Sequence, residues 1–158
     1  MTMLIRGMSA NAAYLFVLFV FAFLGPAHAG DATWNEQNVK LHCANEWPND
    51  FSMQDYCVSQ NKSGYRGYMA LASGNKDPEM KPAFSNCQAE WGIQWDMVEY
   101  CAKQQVSGKS DIAMKLDGLP DDVAAVIETQ CRSEWRNDFS MVAYCAEQNA
   151  SGWRNLNN

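Results

Sequence analysis

Cys43-Ala44-Asn45-Glu46-Trp47-Pro48-Asn49-Asp50-Phe51-Ser52-Met53-Gln54-Asp55-Tyr56-Cys57 is the stretch from which the rest of the chain can be read. Its pattern returns from Cys87 to Cys101, with Glu90, Trp91, Trp95, Met97 and Tyr100. It returns again from Cys131 to Cys145, with Glu134, Trp135, Phe139, Met141 and Tyr144. Each copy begins 44 residues after the one before. Each continues into a glutamine and a Ser-Gly pair: Gln60, Ser63 and Gly64; Gln104, Ser107 and Gly108; Gln148, Ser151 and Gly152. A fixed period of this length marks a repeat architecture, in which each copy is one supersecondary unit. All six cysteines fall inside the copies, two in each.

The second half of each copy carries the signals of a helix start. Ser52, Asp96 and Ser140 are good N-cap residues, and Asp55 and Glu99 complete a capping box in two copies. Phe51, Trp95 or Phe139 stands just before the cap, and Tyr56, Tyr100 or Tyr144 four residues after it. That spacing predicts a hydrophobic staple. The link to the preceding helix is then about four residues, 48–51 in the first copy, which makes each copy an antiparallel helical hairpin. In one straight helix, positions 14 apart lie about 21 Å from each other, whereas a disulfide needs Cα atoms within about 7 Å. Across the hairpin the two cysteines of a copy face each other. The expected pairs are therefore Cys43 with Cys57, Cys87 with Cys101 and Cys131 with Cys145. Each closes a loop of about 15 residues, with roughly 3 kcal/mol of stabilisation in the chain-entropy model. A 44-residue unit has too little core to be stable without such a staple.

Thr33, Asp77 and Asp121 also recur at the period and are expected to cap the first helix of each copy, with Glu36 completing a capping box and Pro78 at a first helical position. The apolar stripe of that helix runs Val39, Cys43, Trp47; Ala83, Cys87, Trp91; and Ile127, Cys131, Trp135. Pro82 would break the first turns in the second copy, so its helix starts later there. Gly64, Gly108 and Gly152 fit two readings: left-handed C-caps, or small contact residues inside a longer helix reaching Ala72 and Leu116. The resulting expectation is an all-α protein of three tandem disulfide-stapled hairpins, a short solenoid or small bundle. Its units are 30–73, 74–117 and 118–158.

Residues 1–29 read as a signal peptide. Arg6 is followed by an apolar run over 14–24, then Gly25-Pro26 and the small residues of Ala27-His28-Ala29, so cleavage is expected before Gly30. The apolar run is too short to cross a hydrocarbon core, which needs about 20 residues, so no membrane insertion is expected after cleavage. Removing this segment takes away one arginine and no acidic residue, so the net charge of −6 becomes −7. That balance argues against nucleic acid as a partner. Export into an oxidising compartment, periplasmic or extracellular, agrees with an even cysteine count.

Few residues suggest chemistry. The mature chain has one histidine, His42, at a position held by Asn86 and Gln130 in the other copies. It has no phosphate loop, no redox or haem cysteine motif and no cysteine outside the paired set, so a catalytic triad is not expected. The cysteine spacing does not suit zinc. Met53, Met97 and Met141 fall on the face read as buried, where packing explains them better than Cu(I). No metal or cofactor is expected. The repeated tryptophans are read as covers for their disulfides and the repeated tyrosines as staple partners. Aromatics outside the repeated positions, Trp34, Tyr65, Tyr68 and Trp153, are then the candidate binding residues. Glu46, Glu90 and Glu134 oppose the macrodipole in the last turn of a helix. They are expected either to accept hydrogen bonds from the start of the next helix or to form a line of acidic sites.

The pattern C-x-x-E-W-x-x-x-[FW]-x-M-x-x-Y-C-x-x-Q resembles a short segment of exported bacterial proteins of unknown function, where it follows a signal peptide in one or more copies. The resemblance covers most of the mature chain. It implies export and a helical hairpin and carries no activity. The expected function is a non-catalytic binding or scaffold module with a protein partner. The alternatives are an acidic inhibitor of a secreted or periplasmic enzyme, or a small-ligand or metal binder. Non-reducing peptide mapping is expected to recover the three pairs within copies; a single bridge between copies would overturn the hairpin reading.

Overall fold

The computed structural model describes residues 33–157; the segment read as a signal peptide lies outside them. Among the described residues there are six helices and no strand: α1 (Glu36–Glu46), α2 (Phe51–Gly74), α3 (Met80–Trp91), α4 (Trp95–Leu116), α5 (Asp121–Trp135) and α6 (Phe139–Asn157). They form three hairpins, each with a short helix followed by a long one. The bridges are Cys43–Cys57, Cys87–Cys101 and Cys131–Cys145, with Cα atoms 5.8, 5.6 and 5.7 Å apart. Each short helix packs on its own long helix, and the long helices pack in series, α2 on α4 on α6. Val39, Met80, Val98, Phe139 and Val142 are almost wholly buried in the resulting core.

The links within the hairpins use two turn chemistries. In residues 47–50 the Asp50 N–H donates to the Trp47 carbonyl at 3.2 Å, and Asn49 has φ 64°. Proline at the second position and a left-handed Asn at the third are the marks of a type II turn. In residues 91–94 and 135–138 the positive φ moves one place earlier, to Gly92 (58°) and Arg136 (50°), as in a type II′ turn. Pro48 cannot take that conformation, and it also drives Trp47 out of the helix. Hence α1 ends at Glu46 while α3 and α5 run on to their tryptophans.

The long helices begin two residues earlier than the capping pattern predicts. The N-cap of α2 is Asp50, whose Oδ1 accepts from the Met53 N–H at 3.0 Å. Asp138 Oδ1 likewise accepts from the Met141 N–H, at 3.2 Å. A carboxylate two places upstream therefore displaces the serine as cap, and Phe51 and Phe139 become first helical residues. An aromatic at the first helical position and a tyrosine five residues on are about 140° apart around a helix, so the staple does not form. Tyr56, Tyr100 and Tyr144 are 57, 59 and 57% exposed. The short helices are corrected too. Asn35, not Thr33, caps α1, accepting from the Asn38 N–H at 3.0 Å. Asp77 caps an Asx turn, accepting from the Glu79 N–H at 2.9 Å, and α3 starts only at Met80. Pro82 is then the third helical residue, where a missing N–H does no harm.

Gly64, Gly108 and Gly152 all lie inside long helices, so the C-cap reading fails for all three, and the contact reading holds for Gly64 and Gly108. A Cβ on Gly64 would collide with the backbone of Trp95 and Asp96. A Cβ on Gly108 would sit 2.5 Å from the Phe139 carbonyl oxygen. These glycines let the start of the next long helix lie directly on the one before. Gly64→Ala and Gly108→Ala are each expected to destabilise the fold by about 1–3 kcal/mol through overpacking, despite the roughly 1 kcal/mol that alanine gains over glycine in a helix. Chemical denaturation checks this; unchanged midpoints would overturn the contact role.

Candidate functional site

Two places bring polar and aromatic side chains together: the junctions between hairpins and an exposed face beside the disulfides. The junctions absorb most of the non-repeated aromatics. The Trp95 N–H donates to Asn61 Oδ1 at 2.7 Å, and Asn61 Nδ2 donates back to the Cys57 carbonyl at 3.0 Å. The Trp95 ring lies edge-on to Tyr65, centroids 4.8 Å apart, and 5.8 Å from Tyr68. The Trp34 ring is tilted against Tyr65, centroids 5.7 Å apart. Tyr68 is buried, its hydroxyl donates to the Phe84 carbonyl at 3.4 Å, and burial pushes that hydroxyl above its ordinary range. Packing thus takes up Trp34, Tyr65 and Tyr68. Trp153 differs: it is half-buried beside a groove at the end of α6.

The second junction repeats the backbone contacts with different side chains. The Phe139 N–H donates to Gln105 Oε1 at 2.6 Å, and Gln105 Nε2 donates to Asp138 Oδ1 at 3.1 Å. Lys109 sits 4.9 Å over the Phe139 ring, with Arg132 at 5.7 Å, both within cation–π range. Lys109 also pairs with Asp77, and with Glu79 at 2.6 Å. Asn61, Gln105 and Asn149 form a recurring amide position that the cysteine-centred pattern hides. Its signal is an amide four residues after the second cysteine of every copy.

The repeated residues make up the exposed face. Glu46, Trp47, Met53, Tyr56 and Gln60 line a groove that Met97 of the next copy completes. At about 270 Å³ the groove is smaller than a small-molecule pocket and suits one or two side chains of a partner. The methionines are half-buried rather than core residues. Trp91 packs on the core, while Trp47 and Trp135 are more than a third exposed. Glu46 faces His42 at 3.6 Å and makes no bond to the start of α2, because Asp50 already caps that helix. Glu90 and Glu134 are exposed and have no ion-pair partner among the described residues. The capping role expected for these glutamates is therefore not observed.

No protein-family model matches the chain, and no curated protein or solved structure matches it either. Among the described residues, no group of three His, Cys, Asp or Glu side chains is placed to hold a metal ion, and no helix is long and apolar enough to cross a membrane.

The ion cluster at the second junction carries a pH dependence. Hydrogen bonds from Lys109 hold Asp77 and Glu79 below their ordinary values of 3.8 and 4.5. Burial pulls Lys109 down, but its bonds to the two carboxylates outweigh this and leave it above 10.5. Depressed carboxylates contribute stability above their unfolded values and lose it as pH falls through their folded ones. Lys109 contributes below its unfolded value and loses that as pH rises past its folded one. The melting temperature is therefore expected to hold through neutral pH and to fall on acidification below about pH 4.5, less steeply in Lys109→Met. Circular-dichroism melts across pH check this; parallel acid limbs in both proteins would overturn the assignment.

Proposed function

We propose that the chain is an exported, non-catalytic protein-binding or scaffold module, and that it binds through the exposed Glu-Trp-Tyr face of its three copies. The observation that carries this reading is the near-identical exposure of Tyr56, Tyr100 and Tyr144. They staple no helix, and of the aromatics at the helix starts Trp95 and Phe139 pack on the preceding long helix while Phe51 is exposed. Tyrosine and tryptophan supply large contact area at low conformational cost, which suits a protein interface. Glu46 adds negative charge in the groove that Tyr56 lines, and Glu90 and Glu134 hold the same place in the other copies. The favoured partner is therefore a protein segment with basic residues, which can pair with the carboxylates and lie over the rings. Support for export comes from the pattern of residues 1–29 and from three disulfides, which persist in oxidising compartments.

A photo-crosslinking side chain placed at Tyr56 or Tyr100 in the intact cell envelope is expected to give a discrete adduct. The same group at Ala113, exposed elsewhere on α4, is expected to give none. The variant Tyr56→Ser/Tyr100→Ser/Tyr144→Ser should compete poorly for the adduct while melting like the parent. Equal adducts at Ala113, or full competition by the triple variant, would overturn the reading.

A further inference from the structure

We infer that the chain assembles head to tail, the start of α2 in one molecule docking on the end of α6 in another. The argument rests on the two junctions inside the chain. Each has a socket on the earlier long helix and a plug at the start of the later one. The socket is an amide (Asn61 or Gln105), a glycine one turn further on (Gly64 or Gly108), and the side chains that follow it. The plug is an aromatic first helical residue, Trp95 or Phe139, whose N–H donates to the amide and whose backbone lies on the glycine. Both plug aromatics are 2% exposed.

The third copy carries the socket without a plug. Asn149 keeps the bond that orients it, its Nδ2 donating to the Cys145 carbonyl at 2.9 Å as Asn61 donates to Cys57. Its Oδ1 has no hydrogen-bond partner among the described residues. A Cβ on Gly152 would meet nothing within 4 Å, unlike those on Gly64 and Gly108. Trp153 and Leu156 stand where the first copy has Tyr65 and Tyr68, and Leu156 is 87% exposed against 6% for Tyr68. With Val123 and Val126 they line an open apolar groove of about 510 Å³.

The first copy carries the plug without a socket. Phe51, in the place of Trp95 and Phe139, is 78% exposed. Its N–H has no acceptor among the described residues. The first and third copies thus carry the two halves of a contact that the chain already makes twice within itself. A second copy of the chain is the occupant this continuity selects. The contact is heterologous, so it closes into a ring or runs on as a filament according to its rotation. It is argued from the amide, the glycine and the aromatic of the junctions and does not depend on the partner-binding reading.

Sedimentation velocity of the chain from Gly30, over micromolar to near-millimolar concentration, tests this. The parent is expected to form species larger than a dimer as concentration rises. Gly152→Arg, which fills the socket where the monomer has open space, and Phe51→Asp, which spoils the plug, should each stay monomeric and melt like the dilute parent. Gly152→Arg retains a plug and Phe51→Asp a socket. An equimolar mixture should therefore pair as a dimer and go no further. A parent that stays monomeric throughout, association that survives both single variants, or a mixture that does not pair would each overturn the proposal.

Discussion

The disulfide across each hairpin is the constraint to which the other contacts are referred. It holds one Cα of each helix under 6 Å from its partner, at fixed distances from a turn of three or four residues. That sets not only the hairpin but the direction in which the long helix leaves it. In α2 the buried positions are Cys57, Asn61, Gly64 and Tyr68, at steps of four, three and four. Such steps lie along one helical face. The cysteine that closes one hairpin therefore shares its stripe with the amide and the glycine that receive the next. Closing a unit and joining it to its neighbour are geometrically one operation. That is how copies too small to bury a core alone come to share one.

The two junctions show which parts of that contact are fixed and which are free. Both place a side-chain amide on the first N–H of a helix and a glycine under its first peptide. Around these, the first uses tyrosines and tryptophans, and the second uses Lys109, Arg132 and a carboxylate pair. Backbone groups have one geometry, so what meets them varies little: Asn61 and Gln105 differ by one methylene. Side-chain packing needs only to exclude water and fill space, so aromatic edges and cation–π pairs serve equally well.

The turns make the same point on a smaller scale. Pro48-Asn49, Gly92 and Arg136 are three local solutions to one reversal of the chain. Arg136 holds a positive φ that favours glycine. A non-glycine residue keeps such a conformation when its surroundings over-determine it. Here they do, because the bridge and the Asp138 cap fix the helices on either side.

Much of this was legible in the residues alone. The period, the hairpin, the all-α class and the three cysteine pairs follow from spacing, because a rise of 1.5 Å per residue leaves no other way to bring positions 14 apart together. Pro82 delaying α3 was legible for the same local reason. The exact helix starts were not, since Asp50 and Ser52 are both good caps and only the folded chain shows which one the backbone uses. That difference of two residues turned Tyr56, Tyr100 and Tyr144 from staple partners into exposed rings. It left the glutamates without their expected role and so moved the candidate site from the non-repeated aromatics to the repeated ones. Tyr68 and Trp153 were indistinguishable in sequence, yet one lies under Trp95 and the other borders an open groove. The sequence determined the unit, because a hairpin is built from contacts close along the chain. Only the tertiary structure decided how units meet and which faces stay open, because burial at Gly64, Gly108 and Gly152 depends on what the next copy places against them.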